Sequence, residues 1–219
     1  MKVLTLDVGN SSVDVCLFDG ELFYVGKFPH GEIPILKVDR VLVSSVKPSV
    51  DRLIREAYPN ARFITPEDVP LKTAFENKQG VGVDRLLNLY GAVSLYGTDV
   101  VVVSAGTALV VDLAVDGCFL GGFITLGLGS GLECLHQKAE LIPSLSLREL
   151  EVDIGTNTEE AIIGGFIKQT VYFVKGCVES WSTIYGISPR VVTTGGDGWL
   201  LNSLGHYDPL LSHRAMLLL

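Results

Sequence analysis

The sequence predicts a duplicated α/β protein, and three observations predict it. Two turn patterns recur 97 residues apart: Gly9 is matched by Gly106, and Asp19-Gly20 by Asp116-Gly117. Each pattern sits in the same place within a meander of short apolar strands, which is why the match carries weight in a glycine-rich chain. Strand-like apolar runs alternate with segments of helical periodicity in both halves. Finally, 47% hydrophobic and 19% charged residues over 219 positions provide the apolar surface of a packed core and exclude a disordered chain.

Residues 3–6 form an apolar strand that runs into the turn-rich sequence Asp7-Val8-Gly9-Asn10-Ser11-Ser12. A second apolar run covers 13–18, and Asp19-Gly20 then signals a hairpin of type I′, in which both central residues take positive φ. The third strand ends near residue 28. A strand follows at 41–46 and a helix at 50–58, with Ser49 as the expected N-cap. Residues 63–64 read as a short strand, 65–82 mostly as loop, and 84–96 as a helix. The second half repeats the meander: 100–103, the turn Ser104-Ala105-Gly106-Thr107-Ala108, a run to 115, and Asp116-Gly117. Helical patterns follow at 132–141 and 159–181, then a strand at 190–194 and a turn at Gly195-Gly196-Asp197-Gly198. The last helical segment starts at Trp199. The expected division is one lobe over 1–97 and a second over 98–219.

Seventeen Lys and Arg against 25 Asp and Glu leave a formal net charge of −8, with no basic cluster longer than a pair, so nucleic acid is an unexpected partner. Mean hydropathy is positive, at +0.38. The longest strongly apolar stretch, 100–111, is only 12 residues, short of the roughly 20 that cross a bilayer. Asp7 interrupts the N-terminus before a signal-peptide core could form. The expectation is a cytoplasmic protein with no membrane segment. Cys16, Cys118, Cys134 and Cys177 form no CxxC pair and read as buried reduced thiols.

A tight turn between antiparallel strands presents consecutive backbone N–H groups, and small hydroxyl or amide side chains let it hold phosphate oxygens. Both Asp7-Val8-Gly9-Asn10-Ser11-Ser12 and Ser104-Ala105-Gly106-Thr107-Ala108 have that composition, and two such turns facing across a cleft would grip a polyphosphate. Asp7 would add a carboxylate for Mg²⁺, which keeps most of its waters. In Gly80-Val81-Gly82-Val83-Asp84-Arg85 the glycines admit a ligand, Asp84 can accept a proton and Arg85 can bind an anion; the Asp-Arg pair also suits a plain helix start. Gly195, Gly196 and Gly198 would let a planar ring or phosphate reach the backbone. His30, His136, His206 and His213 form no spaced cluster, and a Ser hydrolase would lack its GxSxG elbow.

Taken in order, Asp7-Val8-Gly9-Asn10-Ser11, Gly82-Val83-Asp84-Arg85, Gly106-Thr107-Ala108 with Asp112, Gly121-Gly122-Phe123-Ile124 and Thr194-Gly195-Gly196-Asp197 resemble the type III pantothenate kinases. The resemblance covers nearly the whole chain. It implies the sugar-kinase, Hsp70 and actin superfamily: duplicated ribonuclease-H-like (actin-like ATPase) lobes with the nucleotide cleft between them. It further implies ATP-dependent phosphorylation of the primary hydroxyl of pantothenate, the first step of coenzyme A biosynthesis.

By the same resemblance, Asp7, Val8, Gly9, Asn10, Ser11, Ser12, Val13 and Asp14 form the first nucleotide loop, and Thr107 is the second phosphate-loop hydroxyl. Gly195 and Gly196 lie near the adenosine. Phe75, Gly82, Val83, Asp84 and Arg85 line the pantothenate pocket, with Asp84 as the base, and Thr158 matches a substrate threonine. A homodimer is implied too, as are ATP and Mg²⁺, the latter at Asp7 through water. The departures are specific. Ser104 stands where the family usually has an Asp that binds a monovalent cation, which leaves a K⁺ or NH₄⁺ requirement open. Leu109 and Val110 replace frequent hydroxyls, Leu126 a usual Pro, Phe75 a usual Tyr, and Lys78 a customary Pro. The alternative is a nucleotide-binding regulatory or accessory protein on the same scaffold, with weak or no kinase activity.

Overall fold

The computed structural model describes residues 1–219. The chain forms two compact units, Met1–Leu95 together with Leu210–Leu219, and Tyr96–Pro209.

In the first unit β1 (Val3–Val8), β2 (Val13–Phe18) and β3 (Leu22–Phe28) form an antiparallel meander. β4 (Arg40–Ser45) lies parallel to β1 on its other side, and β5 (Arg62–Phe63) parallel to β4, giving the order β3-β2-β1-β4-β5. α1 (Pro48–Ala57) connects β4 to β5; β6 (Lys72–Thr73) and α2 (Val83–Tyr96) follow. Side chains alternate across β1 with the strand period of two. Leu4, Leu6 and Val8 face one way, into a core shared with Val13, Val15, Val41, Val43, and with Val50, Ile54 and Tyr58 around α1. Burying each such aliphatic side chain contributes about 1.5–3 kcal/mol.

In the second unit β7 (Val100–Ala105), β8 (Ala108–Val115) and β9 (Cys118–Leu126) make the second meander. After α3 (Leu128–Lys138) and α4 (Thr158–Tyr185), β10 (Arg190–Thr194) pairs parallel to β7 and β11 (His206–Tyr207) parallel to β10. The order β9-β8-β7-β10-β11 repeats that of the first unit strand for strand. Each unit is therefore a ribonuclease-H-like sheet, and the repeat seen in the sequence is a repeat of topology. The register makes the equivalence specific: Asp7 pairs with Asp14 and Ser44, while Ser104 pairs with Val110 and Thr194. Ser104 is the topological counterpart of Asp7.

α5 (Leu211–Leu217) closes the chain and belongs to the first unit, whereas a division at 97/98 puts these residues in the second lobe. It is docked on the face of β1 opposite the core: Thr5 Oγ1 and His213 Nδ1 are 2.7 Å apart, and both residues are buried.

Several local expectations are corrected. Of the four cysteines expected to be buried, Cys16 and Cys177 are, whereas Cys118 is half-buried and Cys134 is exposed. α1 starts at Pro48, with Lys47 at the cap position and no side-chain cap, so Ser49 lies inside the first turn. Proline at the first helical position has no N–H to satisfy and a φ already suited to the helix. Asp116 and Gly117 both take positive φ, as a type I′ turn requires, but at 19–20 only Gly20 does. There Phe18 pairs with Leu22, which leaves a three-residue loop instead of a two-residue one. α3 begins four residues early, at Leu128, and the segment from Trp199 is only a 3₁₀ turn, Gly198–Leu201. α4 runs past Trp181 to Tyr185, where Gly186 at φ 65° ends it and Ile187 N–H donates back to the Ser182 carbonyl at 3.2 Å. No helix is long and apolar enough to cross a membrane.

Candidate functional site

The first unit gathers three carboxylates. Asp7 is the last residue but one of β1, Asp14 is the second residue of β2 and lies directly opposite it, and Asp84 sits in the first turn of α2. Burial pushes the Asp7 carboxyl above its ordinary value and the charge of Asp14 adds to that, while the neighbouring hydroxyls of Ser212 and Ser44 oppose it. Burial also raises Asp84, helped by the charge of Asp7; the backbone N–H and guanidinium of Arg85 hold it down. Asp14 is held from the outer strand, accepting from Tyr24 Oη at 2.9 Å and lying 3.7 Å from Lys27 Nζ. Cys16, buried on β2 near these charges, has its thiol pushed up to about 12, so it stays a neutral core residue.

The turn that joins Asp7 to Asp14 is closed by Gly9 N–H donating to the Ser12 carbonyl at 3.0 Å. Val8 and Val13 pair across its base with their side chains in the core, so these two serve the turn through backbone alone. Asn10 and Ser11 are exposed at its tip and Ser12 is half-buried. Gly82 precedes α2, and its carbonyl accepts from Arg85 N–H at 3.1 Å and Leu86 N–H at 3.3 Å. A Cβ at this glycine would collide with Asp84 Oδ1, the free end of a side chain. Gly82→Ala should therefore leave the fold intact, within about 0.5 kcal/mol, and turn the carboxylate aside. The expected result is an unchanged Tm, read by melting the variant beside the parent.

A cavity of about 520 Å³ lies against this element, bounded by Gly80, Val81, Gly82 and Val83 on one side and by Ser45, Asp51, Arg55 and Thr65 on others. Arg55 stacks its guanidinium 3.8 Å above the Phe63 ring. Phe75 is half-buried in the preceding segment, its carbonyl accepting from Thr73 Oγ1 at 2.8 Å.

In the second unit the turn after β7 is held by Gly106 N–H to the Ala108 carbonyl at 3.0 Å and Gly127 N–H to the Thr107 carbonyl at 3.1 Å. Thr107 is exposed at the tip and Ser104 is half-buried at the strand end. The Gly195-Gly196 turn lands beside it, because β10 pairs with β7: Thr194 is opposite Ser104, and Asp197 N–H donates to the Ala105 carbonyl at 3.0 Å. The second unit thus brings Ser104, Thr107 and Gly195 together. Thr158 is the first residue of α4, exposed, behind Asn157, whose side chain caps the helix by accepting from Glu160 N–H at 3.0 Å.

Sequence reasoning missed several neighbours of the site. Ser44 and Ser212 flank Asp7, and His30 and Lys47 touch the turn at Gly9 and Asn10. Only one signal could have found Lys47. A strand parallel to β1 must end beside the turn that follows β1, and Lys47-Pro48 ends that strand.

A family model for type III pantothenate kinase matches residues 3–180. A type III pantothenate kinase of Aquifex aeolicus is 40% identical over 222 aligned residues, covering 99% of this chain and 96% of the relative. One from Kosmotoga olearia is 30% identical, covering 82% and 72%. Among solved structures, a Campylobacter jejuni protein described as a Baf family transcriptional activator superposes with a TM-score of 0.72 at 23% identity, covering 97% of this chain and 94% of that one. The activator of 2-hydroxyisocaproyl-CoA dehydratase from Clostridium difficile, solved with bound ADPNP, gives 0.54 at 13% identity, covering 99% and 92%. At those identities the two structures speak to the fold.

Proposed function

The chain belongs to the type III pantothenate kinase family, and from that premise we propose that it transfers the γ-phosphoryl group of ATP to the primary hydroxyl of pantothenate. The products are 4′-phosphopantothenate and ADP, and the step is the first toward coenzyme A. The observation that carries the reading within the molecule is the pair of raised carboxylates, Asp84 beside Asp7, in one unit with the Gly9–Ser12 turn. Phosphoryl transfer through a loose transition state leaves the protein to align donor and acceptor and to neutralise spreading charge. Asp84 takes the proton of the acceptor hydroxyl as its oxygen bonds to phosphorus. A carboxylate made more basic by burial suits that task better than an ordinary one.

The other roles follow the same assignment. Asn10 and Ser11, with Gly9 and Ser12, hold phosphate oxygens, and Thr107 supplies a hydroxyl to the same end. Gly195 and Gly196 admit the adenosine. Phe75, Gly82, Val83 and Arg85 hold pantothenate, Arg85 meeting its negative charge, and Thr158 belongs to the substrate set of a homodimer. The neighbouring cavity lined by residues 80–83 has room for a small acceptor.

No three His, Cys, Asp or Glu side chains converge as a metal cage. Mg²⁺ binds through one or two carboxylates and keeps its water. Asp7, a half-buried carboxylate facing the charge of Asp14, is a hard oxygen donor that fits this ion. When bound, Mg²⁺ neutralises phosphate charge. The reading places the enzyme in the cytoplasm.

A coupled ADP-release assay with ATP, Mg²⁺ and pantothenate tests this reading directly, and pantothenate-dependent turnover is the expected result. Because Ser104 lacks the carboxylate carried by its counterpart Asp7, added K⁺ or NH₄⁺ should change the rate by less than about twofold; one decade of rate is 1.36 kcal/mol. A strong cation response would mean that oxygens other than Ser104 form a monovalent-ion site. Nucleotide binding with no turnover under any cation would favour a regulatory protein on this scaffold, the reading that Ser104 supports.

A further inference from the structure

The two carbonyls at the tip of the first turn are held by side chains from distant parts of the first unit. Lys47 Nζ donates to the Asn10 carbonyl at 2.7 Å. His30 Nε2 lies 3.0 Å from the Gly9 carbonyl. A carbonyl only accepts, so Nε2 carries the ring proton, and Nδ1 is left to accept from Lys47 Nζ at 3.4 Å. The base of this arrangement is fixed as well. Lys47 N–H donates to Ser45 Oγ at 3.2 Å, Ser45 Oγ donates to Asp51 Oδ1 at 2.5 Å, and Val46 N–H donates to the Val8 carbonyl at 3.0 Å.

Two consequences follow from peptide geometry and charge. In a trans peptide the N–H points opposite to the C=O of the same plane. Pinning the carbonyls of Gly9 and Asn10 therefore sets the directions of the Asn10 and Ser11 amides, which turn away from Lys47 and His30. Successive amides directed to one side make an anion-binding concavity. The second consequence concerns Lys47 itself. Its ammonium contacts a carbonyl oxygen and an imidazole nitrogen, neither of which cancels its charge. In a chain of net charge −8, with three carboxylates near the same turn, this cation offsets the repulsion that a polyphosphate would meet.

We infer that Lys47, seated by His30, is a positioning residue for the nucleotide: the pair aims the Asn10 and Ser11 amides at the phosphates, and the ammonium adds positive charge beside them. The inference rests on the reading of residues 7–14 as the nucleotide loop.

The test compares Lys47→Met, Lys47→Arg and His30→Leu with the parent chain. It uses calorimetric titration of a non-hydrolysable ATP analogue with Mg²⁺, the KM for pantothenate, and amide exchange of the 8–13 segment without nucleotide. Loss of a charged hydrogen bond predicts that Lys47→Met weakens the analogue about 10-fold or more. Pantothenate KM stays within about twofold, and exchange quickens in 8–13 alone. His30→Leu shows a smaller loss in the same direction, and Lys47→Arg regains most of the affinity. Unchanged analogue affinity in Lys47→Met overturns the inference, whether or not exchange changes. So does a fall in affinity matched by an equal rise in pantothenate KM and a general drop in Tm, which would mark a merely structural lysine. A parent chain that binds no analogue removes the nucleotide reading and this inference with it, an outcome distinct from a parent that binds and a variant that binds equally well.

Discussion

Asp84→Asn is expected to lose turnover by 10²- to 10⁴-fold, about 3–5 kcal/mol of transition-state stabilisation, while nucleotide affinity changes little and the protein becomes more stable. The first effect follows from removing the proposed proton acceptor. The last follows from the direction of its pKa shift. Burial and the charge of Asp7 raise the carboxyl in the folded chain. The folded state therefore binds this proton more tightly than the unfolded chain does. Stability then falls as pH rises from the ordinary carboxylate range through the raised folded value, and at neutral pH the fold carries the full cost of the buried charge. An amide of the same shape has no such cost, so without Mg²⁺ the variant should melt higher than the parent at pH 7, and the gap should close on acidification. The parent's kcat should fall on acidification with a midpoint above the ordinary carboxylate range. Near-normal kcat in the variant would remove Asp84 as the base. A lower Tm would make its carboxylate structural, and a gain in stability with a loss of activity is the pattern expected of a strained catalytic group.

Much of this architecture was legible because short apolar runs were bracketed by unambiguous turns. β2 and β10 were expected at residues 13–18 and 190–194 and are found there. The constant offset between the two meanders was visible for the same reason. It failed to extend to the fourth strand because α3 and α4 are inserted between β9 and β10, while β3 leads to β4 through a short irregular segment. A search at fixed period therefore sees three strands of each lobe, and only the parallel pairing of β4 with β1 and β10 with β7 completes the match. The contacts around Asp7 were illegible for a related reason. Thr5 and His213 are 208 residues apart in sequence, and nothing in the seven residues of α5 announces which strand it covers. Lys47 has no local mark beyond preceding a proline; its use depends on where a parallel neighbour ends. Asp84 stood out because glycines and an arginine surround it, whereas Ser212 has no such local signature.

The other large effect is expected from Gly195→Ala, and its cause is backbone packing. Gly195 has φ +87°, and a Cβ there would run into the Ala105 carbonyl, with the Ala105 carbon at 2.9 Å and its nitrogen at 3.0 Å. Unlike the carboxylate that Gly82→Ala would displace, these are backbone atoms of a central strand that cannot swing away. Positive φ in a non-glycine residue costs about 1–2 kcal/mol; with the steric overlap, a total of about 3 kcal/mol is expected, near the upper range for single substitutions. For a chain of this size that is a fall in Tm of about 6–12 °C. The damage should be functional too. Ala105 leads directly into the Gly106-Thr107 turn, and its carbonyl accepts from Asp197 N–H at 3.0 Å, so moving it displaces both the glycine turn and the proposed phosphate turn. Nucleotide affinity should drop in the fraction that stays folded at low temperature. Gly106→Ala is the control for stability, since a Cβ at that glycine meets nothing within 4 Å and its φ is not positive; its Tm should match the parent's. If Gly195→Ala melts with the parent and binds nucleotide normally, the turn after β10 has enough slack to move off β7. The close approach of these two backbones would then be dispensable for both the fold and the site.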